Sequence, residues 1–133
     1  MARQTGTQMY RRRSSSRGFT LIEMLVVVAL IGILSAIALR QFAIYRNQSY
    51  DARANSDLRN AATAEEAYFA SNGEYIGGQD TGPTSSTFLP GLHLSPTVTL
   101  QMSVNGSDSF SGTAASNQGT RTFTYNSALG GIQ

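Results

Sequence analysis

An apolar run near the N-terminus, residues 19–39, constrains the fold of this chain more than any other feature. Its sequence is FTLIEMLVVVALIGILSAIAL, and only Thr20, Glu23 and Ser35 interrupt it with polar side chains. At about 1.5 Å per residue, such a run forms roughly 31 Å of α-helix, which is enough to cross the hydrocarbon core of a bilayer once. The core helix of a small soluble protein has a polar face, and this run has none. The sequence therefore predicts one membrane-spanning helix.

The basic residues are distributed unevenly. All ten are Arg, the chain has no Lys, and five of the Arg residues lie in residues 1–18, where there is no acid. Because positive charge accumulates on the cytoplasmic side of a span, the N-terminus is expected in the cytoplasm and the body of the chain beyond the membrane. Without residues 1–18 the formal charge changes from 10 − 8 = +2 to 5 − 8 = −3. The basic character therefore does not indicate a nucleic-acid-binding domain.

Residues 40–72 are predicted to continue the same helix. They contain no Pro and no Gly, and residues of high helix propensity dominate. Apolar residues at helical spacing form one stripe, which comprises Ala54, Leu58, Ala61, Ala62, Tyr68 and Phe69. Charged residues are expected on a separate, solvated face, which comprises Asp51, Arg53, Asp57, Arg59 and Glu66. Asn72 and Gly73 then supply a stop signal.

Residues 73–133 are predicted to form a loop and a small β head. All three Pro residues fall within residues 73–96, and no regular element is expected there. Residues 97–104 alternate strictly between polar and apolar side chains, as a half-buried strand does, and residues 109–115 and 120–125 are further strand candidates. Three strands alone are marginal in water, so a three-stranded antiparallel sheet should pack on the helical stripe. The predicted fold class is α+β.

Glu23 is the one acid in the apolar run. An ionised carboxylate inside a bilayer costs at least about 2.5 kcal/mol, so it needs a partner. A secretory signal has its small-residue cleavage site after the apolar region, whereas Gly18 lies before it. Cleavage between Gly18 and Phe19 would keep the helix and create a cationic α-amine four residues from Glu23. Between two copies these charges pair at one depth only, because a slip leaves both unpaired in an apolar medium.

The sequence RGFTLIE at residues 17–23, with the apolar run after it, resembles the class III signal and N-terminal helix of type IV pilins and of the related type II secretion pseudopilins. Over residues 17–75 the chain also looks similar to short type IVa pilins of iron-reducing and sulfate-reducing bacteria. The resemblance implies that prepilin peptidase cuts after Gly18 and methylates the new amine of Phe19. It further implies a homopolymeric helical filament, built by an assembly platform, with Glu23 as the assembly acid.

The pattern and the resemblance together divide the chain into four segments. These are a cleaved leader (1–18), the membrane and filament-core half of the helix (19–39), its periplasmic half (40–72), and the loop with the β head (73–133). The precursor is expected in the inner membrane with its head in the periplasm, and the assembled subunit in an extracellular pilus. Initiation at Met1 or at Met9 is left open.

The helix has two features that bear on its flexibility. The resembled family often has a proline shortly after the span, but this chain reads LRQF at residues 39–42, which places a kink there in doubt. Gly32 and Ser35 remain as sites where the helix could loosen in a filament.

Two series of side chains have alternative interpretations. The aromatic series comprises Phe42, Tyr45, Tyr50, Tyr68, Phe69 and Tyr75. The resembled short pilins have been proposed to conduct electrons through such a series, but packing between helices explains the same spacing and is favoured. The basic series comprises Arg40, Arg46, Arg53 and Arg59. It could bind DNA or lipid headgroups, although the nearby Asp51 and Asp57 favour ion pairs between subunits or a solvated face.

Several functions therefore stay open for the chain. The favoured function is a structural subunit of a pilus, major or minor. The alternatives are a type II secretion pseudopilin and a membrane-tethered binding module for adhesion or DNA uptake. The sequence has no nucleophile elbow, phosphate-binding loop or zinc motif, so we predict no enzyme activity, no cofactor and no metal site, and nucleic acid is not an expected partner. Motility, conduction and O-linked sugar on the Ser/Thr-rich head are undecided.

Overall fold

The computed structural model describes residues 18–133, which form one long helix followed by short strands. The helix, α1, spans Leu21–Asn72. The strands are β1 (Gly78–Thr81), β2 (Thr84–Ser85), β3 (His93–Leu94), β4 (Val98–Val104), β5 (Phe110–Ser116), β6 (Thr122–Asn126) and β7 (Gly131–Ile132). These elements form two compact units, one up to Ile37 and one from Ala38 to Gln133.

The first unit is the apolar part of α1. From Gly18 to Ile37 every residue is exposed, including large side chains such as Leu21, Ile33 and Leu34. Among the described residues, α1 is the one helix long and apolar enough to cross a membrane, judged by length and composition. The exposure matters because a soluble chain does not leave such a surface in water; a bilayer or neighbouring helices must cover it.

The end of α1 follows the predicted stop signal. Gly73 adopts φ 77°, a left-handed conformation that favours glycine, and its N–H donates to the carbonyl oxygen of Phe69 at 2.8 Å. The helix is continuous through residues 39–42, where the resembled family often has proline.

The main sheet of the second unit has five strands, so the prediction of three was wrong in number. The order is β1-β4-β5-β6-β7, and every neighbouring pair is antiparallel. The three predicted strands form its centre as β4, β5 and β6. Strand β1 and the separate β2–β3 pair lie in residues 73–96, where no regular element was expected. Edge strands this short have little pattern of their own, because pairing with a neighbour defines them.

The core lies between the sheet and the predicted stripe of α1. Ala54, Leu58 and Ala61 are each 0% exposed. They pack with buried residues from the strands and the adjoining loop, namely Leu89, Leu92, Leu94, Val98, Leu100, Met102, Phe110, Ala114 and Phe123. The approach is close at Gly112 of β5, where an added Cβ would collide with the sulfur of Met102 and lie 3.1 Å from Leu58 Cδ1.

Candidate functional site

The start of α1 is built around Thr20 and Glu23. The Thr20 N–H and the Thr20 hydroxyl both donate to Oε2 of Glu23 at 2.8 Å, and the Glu23 N–H donates to Thr20 Oγ1 at 3.3 Å. This reciprocal arrangement is a capping box, which satisfies two backbone donors that a helix start otherwise leaves free. The sequence signal is Thr-x-x-Glu, and the interpretation of Glu23 as an assembly acid overlooked it. In a single copy, the carboxylate therefore already has a polar partner.

The surroundings of Glu23 are apolar and open. Phe19 is 81% exposed and Ile22 is 69% exposed. Together with Glu23 they line a shallow groove of about 380 Å³, completed by Met24, Val26 and Val27. The two predicted assembly residues, Phe19 and Glu23, thus share one surface. An acid in such a setting is strongly driven to find a cation once the surface leaves water.

The bond between Gly18 and Phe19 precedes the helix. Both residues are exposed and lie outside any helix or strand. No heavy atom lies within 4 Å of the position where a Cβ would stand on Gly18, so the segment is unobstructed. Exposed non-helical backbone is the kind of substrate that peptidases cut.

The predicted flexibility sites lie well inside α1. Gly32 and Ser35 belong to an uninterrupted helix, and an added Cβ on Gly32 would meet no atom within 4 Å. Their predicted role in an assembled filament stays a prediction.

The aromatic series is only partly brought together. Phe69 stacks on Tyr75 with ring centroids 4.5 Å apart. The contacts then leave the predicted series, since Tyr75 meets Phe110 at 4.9 Å and Phe110 meets Tyr125 at 5.5 Å. Phe42 and Tyr45 are exposed, and Tyr50 lies beneath the guanidinium of Arg53. Within the second unit Phe110 is in the core and Tyr68, Tyr75 and Tyr125 pack against it, whereas Phe42 and Tyr45 stay exposed.

Asp51 and Asp57 are buried, so the expectation that they belong to the solvated face of α1 was wrong. Asp51 accepts hydrogen bonds from Thr120 N (2.8 Å), Thr120 Oγ1 (3.0 Å) and Arg121 N (3.0 Å). Asp57 accepts from Ser95 N at 2.7 Å and Ser95 Oγ at 3.1 Å. These carboxylates fasten two loops of the head to the helix, and each satisfies donors that would otherwise be lost on burial.

Two further acids are used in the same way. Glu65 accepts the Ile76 N–H at 3.1 Å, and Asp80 of β1 accepts from Ser86 Oγ (2.7 Å) and Thr87 N (2.8 Å). Sequence reasoning missed all four anchors. Charged side chains at helical spacing, as for Asp51, Asp57 and Glu65, normally indicate solvent, and Asp80 lies in a segment where no strand was expected.

The anchors differ in how their environments affect ionisation. Burial is the largest influence on Asp51, but the hydrogen bonds from Arg121 and Thr120 outweigh it and lower its pKa. For Glu65 burial also dominates and raises the pKa; the hydrogen bond from Ile76 opposes this effect and the charge of Glu66 adds to it. Asp51 is thus held as a carboxylate, whereas the site of Glu65 favours the neutral acid.

A metal centre is not part of this arrangement. Over residues 18–133 no three His, Cys, Asp or Glu side chains are grouped so that they could hold an ion. His93, the one histidine of the chain, has its Nδ1 3.0 Å from the hydroxyl of Ser85.

Comparison with known protein families identifies the N-terminal segment. Residues 13–39 match the family model described as the prokaryotic N-terminal methylation motif. This match includes Gly18, Phe19 and Glu23, the residues whose positions gave rise to the processing and assembly hypotheses.

The chain is also similar to several pilus proteins. It is 42% identical over 60 residues to the type IV major pilin protein PilA of Myxococcus xanthus, an alignment covering 45% of this chain and 27% of the relative. It is 38% identical over 84 residues to a fimbrial protein of Pseudomonas aeruginosa, covering 58% and 54%. With the type IV major fimbrial protein FimA of Dichelobacter nodosus it shares 40% identity over 79 residues, covering 59% and 50%. The matches thus span between about a quarter and about half of the relatives' lengths.

Proposed function

We propose that the whole chain is a structural subunit of a type IV pilus. The premise is that its N-terminal segment is that of a type IV pilin. The observation that carries the proposal is the exposed apolar helix with one carboxylate, Glu23, four residues after the exposed Gly18–Phe19 bond. The methylation motif over residues 13–39 supports it. So do the three pilus relatives, although each is matched over part of its length.

Processing prepares the subunit for assembly. Prepilin peptidase would cut after Gly18 and methylate the amine of Phe19, which stays charged as a methylated ammonium. The cut removes five Arg residues and leaves a formal charge of 5 − 8 = −3 in the chain from residue 19 onward. The precursor would lie in the inner membrane with residues 1–18 in the cytoplasm and the head in the periplasm, as the positive-inside rule indicates.

Glu23 sets the depth at which a new subunit enters the filament. In one copy its Oε2 is held by Thr20, and between copies the same carboxylate pairs with the Phe19 amine of a neighbour. A slip along the helix axis would leave two charges unpaired among apolar side chains, and an unpaired buried charge is strongly destabilising. The apolar surface itself leaves the lipid only to be buried again against identical helices, while the assembly platform supplies the work. Gly32 and Ser35 would let the helix loosen as it is packed.

The experiment is mass spectrometry of filaments sheared from cells that produce this chain. We expect intact filaments to contain it, beginning at a Phe19 that bears one methyl group. Filaments that lack the chain would contradict the proposal of a major subunit, and a chain found only in a secretion complex would identify a pseudopilin.

Two substitutions distinguish the role of Glu23 in the helix cap from its proposed role in setting the depth of a subunit in the filament. Glu23→Ala should abolish filaments while the processed chain still accumulates in the membrane. Thr20→Val removes the hydroxyl of the cap but keeps the carboxylate, so filaments should still form. The register mechanism fails if Glu23→Ala builds normal filaments, or if both variants lose them equally.

A further inference from the structure

Exposed charges are unevenly distributed over the second unit. All five of its Arg residues are exposed: Arg40, Arg46, Arg53, Arg59 and Arg121. Of its seven acids, Asp51, Asp57, Glu65 and Asp80 are buried. The exposed acids that remain are Glu66, Glu74 and Asp108. Burial of Asp51 and Asp57 therefore leaves the exposed charges of residues 38–60 entirely positive.

The basic side of the head has a groove. Its volume is about 450 Å³, and α1 contributes Gln48 and Asn55 while β6 and the residue before it contribute Phe123 and Arg121. The guanidinium of Arg121 lies over the Phe123 ring, 5.2 Å from its centroid. Arg59 lines a neighbouring pocket with Glu66 and Tyr125, and it reaches the edge of this groove because its Nε donates to Asn55 Oδ1 at 3.0 Å. Two guanidinium groups thus flank one Asn at the groove, each fixed by a neutral partner.

The oxygens of Asp51, which also lines this groove, are already engaged. Oδ1 accepts two backbone N–H groups and Oδ2 accepts the Thr120 hydroxyl. The carboxylate moderates the field of Arg121 but leaves the donors of the guanidinium available to an incoming acid.

The acidic side gathers around Tyr75, just after the end of α1. The Tyr75 hydroxyl donates to Glu66 Oε2 at 3.2 Å. Burial raises the pKa of Tyr75, and the charges of Glu66, Glu65 and Asp108 raise it further. Glu74 is its chain neighbour, and the turn that carries Asp108 lies alongside, because Gly77 approaches the Met102 carbonyl at the end of β4. Glu74 and Asp108 are exposed members of this group that lie on turns, and Asp108 Oδ1 accepts a hydrogen bond from the Ser107 hydroxyl at 2.8 Å.

The acidic turns lie far along α1 from the basic groove, although Arg59 and Glu66 line one further pocket between them. Asp51, at the basic groove, and Asn72, at the acidic turn, are 21 residues apart on α1, or roughly 31 Å at the helical rise. Complementary patches at different places on one molecule make a heterologous contact, and such contacts propagate into open helical assemblies. Neighbouring copies of the chain therefore fit both regions, one copy at the groove and another at the acidic turns. A polyanion fits less well, since residues 19–133 carry 8 acids against 5 Arg residues and repel it overall.

We propose that the groove flanked by Arg59 and Arg121 receives the turns bearing Glu74 and Asp108 of a neighbouring copy. This inference rests on the proposed function, because the second copy is a neighbour in the filament. The pairing acts on the heads and is separate from the pairing of Glu23 in the apolar part. Because the groups are exposed, the contact is salt-sensitive and contributes orientation as much as affinity.

A charge-swap experiment tests the contact in the full chain. Arg59→Glu with Arg121→Glu should reduce the yield of sheared filaments at least about tenfold, as should Glu74→Arg with Asp108→Arg, since each places like charges together. All four substitutions in one chain should restore the yield to within about twofold of the original. The matched control is Gln101→Glu, which adds an acid to an exposed position of β4 whose pocket contains no residue of either region.

The outcomes separate the alternatives. The amount of processed chain in the membrane and its thermal unfolding show whether each variant folds. The four-substitution chain tests the contact even where one of the two double variants folds poorly. Failure of the four-substitution chain to regain filaments would overturn the inference while leaving the pilus proposal intact. Filaments that form normally with Arg59→Glu and Arg121→Glu but lose DNA retention would overturn it in favour of a polyanion site. Absence of the unmodified chain from filaments would overturn both proposals.

Discussion

Glu65, on α1, is 0% exposed, and among the described residues only one of its two carboxylate oxygens has a hydrogen-bond partner. Its Oε2 accepts the Ile76 N–H, whereas its Oε1 is buried with no hydrogen-bond partner in the part of the chain that the structure describes. Burial raises its pKa above the ordinary value of 4.5. An ionised carboxylate that lacks a partner on one oxygen costs stability, and the neutral acid avoids much of this cost.

Stability should depend on pH through this residue. A folded-state pKa above 4.5 means that the folded chain binds the proton more tightly, so the contribution of Glu65 is complete below that pH and is lost as pH rises through the folded pKa. Glu65→Gln cannot ionise, and we expect its melting temperature to decline less than that of the original chain from about pH 4 to about pH 8. Thermal unfolding of the detergent-solubilised chain measures this. Glu74→Gln, at an exposed position, is the control, and equal slopes in the two variants would contradict the expectation.

Packing between α1 and the sheet depends on residues that leave room for it. Gly119 is one of them, because a Cβ there would collide with Oδ1 of Asp51. Its φ is not in the positive range, so an alanine would fit the backbone and any cost must come from the contact.

Gly119→Ala should therefore destabilise the head by about 1–3 kcal/mol, the usual cost of an overpacked site. Gln118→Ala, the exposed neighbour, should have little effect. In a double-mutant cycle, Asp51→Ala removes the obstacle, so the two changes together should cost less than their sum. Additive free energies of unfolding would show that the two side chains do not meet.

The sequence predicts these elements to different degrees. The stripe of α1 and the strands β4, β5 and β6 could be predicted, because apolar periodicity records which side of an element is buried. The acidic anchors could not, since the Ser95 N–H that binds Asp57 is 38 residues away and the Thr120 N–H that binds Asp51 is 69 residues away. Glu23 is intermediate: the Thr-x-x-Glu cap was readable from sequence, but its position in an apolar run drew the interpretation towards assembly.

On the scale of the whole molecule, the two units depend on different environments. The head has its own core between α1 and the sheet, whereas residues 18–37 are buried by no other residue that the structure describes and need lipid, detergent or neighbouring helices. A continuous helix joins units whose stabilities have separate origins.

Unfolding in detergent should therefore occur in two stages. Tyrosine signals of the head should disappear in a first thermal transition, while far-ultraviolet circular dichroism retains helix from the apolar part. Leu58→Ala, at a residue 0% exposed, should weaken the head by about 2–5 kcal/mol and lower that transition without changing the residual helix. A single transition seen by both signals would show that the units unfold as one.

The chain has no Lys, so a subunit processed as proposed would have very few amines. Once the bond after Gly18 is cut, the only amine in residues 19–133 is the one on Phe19, in the apolar surface beside Glu23. In the proposed filament, a covalent label directed at amines would have to reach that apolar surface. The outside of the proposed fibre would offer guanidinium, hydroxyl and carboxyl groups for conjugation, while its one amine would be buried between subunits.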